Sequence, residues 1–144
     1  MRVKTITSII ICIIVAFVFC TSLVSCNNAP GENDIWENAT YTEDTELGSG
    51  KTTFFLEVKA EDKSVTFKIN TDKNIIGDAL KEHKLVSGEQ GQYGLYIKVV
   101  NGITADYEVN SAYWSFNKNG EYMMTGVDST EIADGEHYEL VYTK

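Results

Sequence analysis

Proline is almost missing from this chain: among 144 residues there is one, Pro30. From Lys51 to Lys144 no proline interrupts a backbone hydrogen-bond ladder. Basic residues are scarce as well. Twelve Lys and Arg stand against 21 Asp and Glu, a net charge of −9. That excludes non-specific nucleic-acid binding, which needs a basic face. Cysteine is absent beyond residue 26, since Cys12, Cys20 and Cys26 are the three in the chain. No disulfide framework or cysteine metal site is therefore expected in the remainder. Histidine is limited to His83 and His137. A zinc site needs three or four ligands with workable spacing, and the sequence displays no such pattern.

Signatures of catalysis are missing too. There is no nucleophile elbow and no phosphate loop of a known form. Gly88, Gly91 and Gly94 are too dispersed and follow a helix rather than a strand. Asp128, Glu131, Asp134 and Glu136 lie close in sequence. Calcium could use them, but the EF-hand order is absent, and cap and turn roles explain Asp128 and Asp134. Nothing singles out a carboxylate pair for glycoside hydrolysis. The sequence therefore reads as a non-enzyme with no metal and no cofactor. It is not a disordered chain, being 43% hydrophobic and 11% aromatic.

The N-terminus reads as an address. Arg2 and Lys4 precede an unbroken apolar run of 11 residues, Ile9 to Phe19. That is shorter than the roughly 20 residues a membrane-spanning helix needs, and it has the form of a signal-peptide hydrophobic region. Leu23-Val24-Ser25-Cys26 follows and resembles a bacterial lipobox. The resemblance implies diacylglycerol on Cys26 and cleavage before it; the alternative is an uncleaved anchor with an incidental cysteine. Removal of residues 1–25 discards Arg2, Lys4, Cys12 and Cys20, and the net charge moves from −9 to −11. The expected location is the extracytoplasmic face of the cell membrane. Membrane attachment would run through lipid on Cys26, with more than one acyl chain for stable anchoring.

Residues 26–50 read as the lipidated cysteine and an acidic, flexible linker. Asn27 to Gly50 contains Glu32, Asp34, Glu37, Glu43, Asp44 and Glu46, and no Lys or Arg. Such a segment buries too little apolar surface to offset its chain entropy. Trp36 and Tyr41 are exceptions that either pack on the domain or are incidental. The folded domain is expected over residues 51–144. Phe54, Leu56 and Val58, then Val65, Phe67 and Ile69, alternate with polar neighbours around Glu61-Asp62-Lys63, which predicts a hairpin. Ile76, Ala79, Leu80 and His83 mark one face of a short helix with Asn74 as its N-cap, and Gly77 in it suggests close packing against the sheet. Strands are expected at Leu95–Val100, Tyr113–Phe116, Glu121–Thr125 and Tyr138–Thr143. Asn101-Gly102, Asn119-Gly120 and Asp134-Gly135 supply turns, and Asp128 to Glu131 a capped helical turn. The predicted class is α+β: a β-grasp-like mixed sheet with one short helix packed across it.

Aromatic residues crowd the second half: Tyr93, Tyr96, Tyr107, Tyr113, Trp114, Phe116, Tyr122, Tyr138 and Tyr142. Trp114 and Phe116 share one strand face, Tyr113 and Ser115 the other. The set is either core plus ordinary strand surface, or in part an amphipathic patch for a flat ligand or a partner.

A family resemblance rests on motifs in this region. Tyr93-Gly94-Leu95, Asn101-Gly102-Ile103 with Ala105, Tyr113-Trp114-Ser115-Phe116, Gly126-Val127 and Asp134-Gly135-Glu136-His137 follow in order. Together they resemble the transcobalamin-like C-terminal domain, the small β-domain of transcobalamin and intrinsic factor that many bacterial surface proteins also carry. The resemblance covers residues 51–144. It implies a β-grasp-like fold and a ligand, cobalamin or a related corrinoid, with Tyr93, Tyr113, Trp114 and Phe116 against the ring and Gly126 and Val127 lining a loop. A corrin is a broad apolar ring with an amide rim, which suits aromatics and backbone donors. The large helical domain that completes the clamp in the vitamin carriers is missing here. The expected function is a lipid-anchored surface binding module that takes a corrinoid for uptake, with a transporter as partner. The alternative is a protein-interaction or surface-display module of the same fold without a small-molecule ligand.

Overall fold

The computed structural model describes residues 34–144. Cys26 and the segments read above as a lipobox and a signal peptide lie outside the described residues. Asn33–Lys144 makes one compact unit, and every core side chain described below belongs to it. The unit therefore carries the hydrophobic core needed to fold by itself.

A single 3-10 turn, Ile35–Asn38, leads into β1 (Thr45–Gly48), β2 (Thr52–Ala60) and β3 (Lys63–Thr71). Helix α1 (Ile76–Glu82) follows, then β4 (Val86–Gly91), β5 (Gly94–Val100) and β6 (Ile103–Thr104). A one-turn helix α2 (Tyr107–Asn110) precedes β7 (Tyr113–Lys118) and β8 (Glu121–Tyr122). A second 3-10 turn, Val127–Ser129, then leads to the last strand, β9 (His137–Thr143). The strands form a six-stranded mixed sheet in the order β1-β3-β2-β9-β7-β8 and a three-stranded antiparallel sheet, β4-β5-β6. The class is α+β and mostly β, with two short helices rather than the one expected.

Alternation in the sequence explains the large sheet. Phe54, Leu56, Val58 and Ala60 of β2 and Val65, Phe67 and Ile69 of β3 are all buried on one face. Their polar neighbours point to the other face, as a period of two requires. Each large apolar side chain removed from water contributes about 1.5–3 kcal/mol, so this face fixes the register of the hairpin. β9 pairs parallel with β2, Leu56 opposite Tyr138 and Val58 opposite Leu140. It pairs antiparallel with β7, Trp114 opposite Tyr142 and Phe116 opposite Leu140. The tight turn at Asn119-Gly120 puts both residues at positive φ, 50° and 82°; this is the mirror-image geometry that matches strand twist and favours Asn-Gly.

Residues 34–50 correct the linker reading. The indole of Trp36 is buried and its Nε1 donates to the Ala60 carbonyl at 3.0 Å. Tyr41 packs edge-on to Phe67 at 5.4 Å. β1 extends the sheet as a parallel neighbour of β3. The acidic side chains that argued for an extended chain find partners on β3. Asp34 accepts from Lys63 Nζ at 2.7 Å, Glu46 pairs with Lys68 at 2.9 Å, and Asp44 accepts from the Thr66 amide at 2.8 Å. Attraction to the β3 lysines thus replaces self-repulsion within the segment.

Three local details also differ. The residue before α1 is Ile75, which makes no side-chain cap and forms an isolated bridge with Glu131. Asn74 instead accepts the Ile132 amide through its backbone carbonyl. The tight approach at Gly77 is to Asp128 of the second 3-10 turn, whose Oδ1 occupies the space a Cβ would need. The expected strand at Glu121–Thr125 shortens to β8, Glu121–Tyr122. Among the described residues, no helix is long and apolar enough to cross a membrane.

Candidate functional site

Strand β7 positions the aromatic motif. Trp114 and Phe116 face the core side of the sheet and are each 7% exposed. Trp114 meets Tyr142 edge-on at 5.6 Å, and Phe116 stacks on Tyr138 at 5.8 Å. Beyond these buried rings, β5 of the small sheet and the segment after β8 close around β7. The result is a surface depression of about 250 Å³, lined by Leu95, Tyr96, Ile97, Tyr113, Trp114, Phe116, Tyr122 and the run Met123 to Val127. Five of the six residues selected from the sequence, Tyr113, Trp114, Phe116, Gly126 and Val127, line it together. The sixth, Tyr93, lies in an adjoining shallow depression that shares Met124, Thr125 and Gly126. Tyr96, Tyr122 and Met124 are lining residues that sequence reasoning did not select. Their signal was present, in exposed apolar side chains close to the motif, but their approach depends on how the two sheets meet.

The rim is apolar and open. Met124 is 92% exposed and Tyr122 67%, and Tyr93 in the adjoining depression is 86% exposed. Behind the lining, the buried Nε1 of Trp114 has no hydrogen-bond partner among the described residues. Such a group carries a desolvation penalty of about 1–3 kcal/mol.

Asp128 joins the walls. Its Oδ2 accepts from the Leu95 amide of β5 at 3.0 Å, and its Oδ1 accepts from Lys81 Nζ of α1 at 3.0 Å. Burial pushes the Asp128 carboxyl up, but the Lys81 ammonium and the Leu95 amide outweigh it and hold the pKa below the ordinary 3.8. The other acids considered for calcium are dispersed. Asp134 accepts from the Thr53 amide at 2.8 Å. Glu136 pairs with Lys118 and accepts from the Tyr138 hydroxyl, and both partners lower its pKa. Of the two histidines, His83 caps the end of α1 with its Nε2 buried and unpaired.

His137 has different company. Parallel pairing sets Glu57 opposite Glu139 and His137 opposite Phe55. Glu57, His137 and Glu139 therefore project from the outer sheet face, away from Trp114. Their ligand atoms all lie within 4.8 Å of one another. The Lys59 ammonium approaches Glu57 at 3.2 Å and Glu139 at 3.6 Å. Burial lowers the Lys59 pKa, but the two carboxylates raise it further, and the net shift is upward from 10.5. Among the described residues this is the group whose donors could hold a metal. Sequence spacing alone did not reveal it.

A protein from Ruminococcus gnavus ATCC 29149, described as a candidate metal binding protein, has a similar solved structure. Identity is 33% and the TM-score 0.62, over 65% of this chain and 98% of that one. Haptocorrin in complex with Cbi is similar in fold, at 19% identity and a TM-score of 0.53. That match spans 65% of this chain and a quarter of haptocorrin, 25% of its length. No curated protein sequence matches the chain. Residues 74–144 match the family described as Domain of unknown function (DUF4430). Residues 74–144 of this chain thus carry a DUF4430 domain, and the chain is related to the R. gnavus protein over nearly the whole of that protein.

Proposed function

We propose that this chain is a non-enzymatic binding module whose depression beside β7 takes one face of a broad, amide-rimmed ring, cobalamin or a related corrinoid. One observation carries the reading: five residues chosen for a ring-binding role from sequence motifs line a single depression. Its chemistry suits such a ligand. Aromatic walls offer flat apolar contact to the ring. We read the β3-β2-β9-β7 arrangement, with parallel central strands and α1 between hairpin and return, as β-grasp-like. The likeness in fold to haptocorrin supports that reading.

The depression is smaller than the 300–1,000 Å³ or so of an enclosing small-molecule site. It would bury one face of a corrin and leave the other to solvent or to a partner. Affinity alone should therefore be modest. In our reading Cys26 carries lipid and tethers the module on the extracytoplasmic face of the membrane, where a transporter supplies the other half of the site. Calorimetric titration of Asn33–Lys144 with cyanocobalamin tests the ligand. Saturable binding that Tyr122→Ala weakens supports it, and no heat at high micromolar ligand defeats the free-standing carrier.

A second reading is a protein-interaction module on the same surface, favoured by the exposure of Met124, Tyr93 and Tyr122. It is supported if the tagged lipoprotein retains one transporter subunit on purification and loses it with Met124→Glu.

A further inference from the structure

The outer face of the six-stranded sheet carries chemistry that the ring-binding reading does not use. We infer that Glu57, His137 and Glu139 form a binding site for a divalent first-row transition cation, with Lys59 as the tethered positive charge that the metal displaces.

Backbone register builds the site. β2 and β9 run parallel, and alternation sends Glu57, Lys59, His137 and Glu139 to the same face. With one ring nitrogen of His137 as its single donor, the three residues each offer one ligand atom, and these lie within 4.8 Å of one another. Donors bound to one ion at about 2.0–2.2 Å stand roughly 3–4 Å apart. Small rotations of Glu57 and His137, whose side chains are 20% and 35% exposed, close the one-atom-per-residue set from within 4.8 Å to that spacing.

Charge argues for the occupant. Glu139 is 5% exposed, and a carboxylate so deeply buried requires compensation. Its Oε1 accepts from the Gly120 amide at 2.9 Å. Its Oε2 faces the Lys59 ammonium at 3.6 Å, which is beyond hydrogen-bonding distance. Lys59 thus supplies one positive charge to two carboxylates. A divalent ion balances both. The lysine side chain is 39% exposed, so it can swing into water when displaced.

Ligand type narrows the metal. One imidazole with two carboxylates suits zinc and its first-row neighbours. Calcium takes six to eight or so oxygen ligands and no imidazole. Three protein ligands leave the coordination sphere open to water or to a partner's side chain.

The test is calorimetry of Asn33–Lys144 with zinc chloride in a buffer that does not chelate. This unit has no cysteine to compete. One zinc per chain is expected, with His137→Ala and Glu57→Gln each weakening binding about tenfold or more. Lys59→Ala should bind about tenfold tighter, which a purely structural ion-pair cluster does not foretell. Zinc should also move the imidazole resonances of His137 in the NMR spectrum and leave those of His83 in place. Absence of saturable binding by both the native unit and Lys59→Ala at millimolar zinc would overturn the site, as would a His137→Ala variant that binds like the native unit. A Lys59→Ala variant that binds no tighter removes the lysine from its assigned role.

Discussion

Trp114 combines two roles that pull a mutational test in opposite directions. It lines the depression, yet it is almost wholly buried against Tyr142. Truncating a buried Trp removes a large apolar payload and leaves a cavity, at a cost of about 3–5 kcal/mol. We therefore expect Trp114→Ala to lower the urea midpoint strongly, and any loss of ligand binding in it would be ambiguous. Tyr122, which is exposed on the rim, separates binding from folding. Tyr122→Ala should change stability by less than about 0.5 kcal/mol while reducing corrinoid heat. Asp128 gives a prediction with a sign in pH. Its folded-state pKa is depressed below 3.8, so its contribution is present above the unfolded value and disappears as pH falls through the lower folded value. Asp128→Asn should flatten the stability profile between about pH 5 and the acid limit, read by urea unfolding at stepped pH.

At the scale of elements, the N-terminal segment and α1 carry the informative contacts. A unit that begins at Lys51 loses the Trp36 anchor, the Tyr41–Phe67 contact and the β1 ladder. It also exposes the edge of β3, an invitation to association. We expect that truncated unit to be less stable than Asn33–Lys144 by several kcal/mol, about 3–5 for the Trp36 contact alone, and to aggregate in light scattering. In α1, helix propensity says Gly77→Ala should stabilise by about 1 kcal/mol. The structure reverses the sign, because the new methyl would meet Asp128 Oδ1 and press on the Asp128 Cα at 3.2 Å. The substituted unit should melt lower and lose protection at the Leu95 amide in hydrogen exchange. The hairpin β2–β3 and strands β7 and β9 were legible because each alternates over a continuous stretch. β1 and β4 were not. β1 is short, and β4 reads Val86-Ser87-Gly88-Glu89-Gln90-Gly91, with five of six residues exposed. Its place depends on pairing with β5 rather than on its own side chains.

For the whole molecule, one sheet separates two candidate sites. The aromatic depression uses the core side of β7, and the Glu57–His137–Glu139 cluster uses the outer side of β2 and β9. They share no lining residue. Effects at well-separated sites add to within about 0.5 kcal/mol. His137→Ala should therefore leave cyanocobalamin heat unchanged, and Tyr122→Ala should leave zinc heat unchanged. The double variant tests this in one calorimetric series.

Sequence by itself determined the acidic charge, the cysteine-free domain and the mixed sheet with its Asn-Gly turns. It also determined the aromatic motif of the depression, because neighbours on one short strand stay neighbours after folding. Tertiary structure decided what depends on residues distant in the chain. The Lys63 and Lys68 side chains converted an acidic segment from tether to sheet edge. The approach of β5 to β7 turned an aromatic strand into a walled depression. The parallel register of β2 and β9 placed a histidine between two glutamates, and a one-residue slip would have sent them to opposite faces. Composition and local period report what each segment prefers; only long-range pairing chooses which preferences meet.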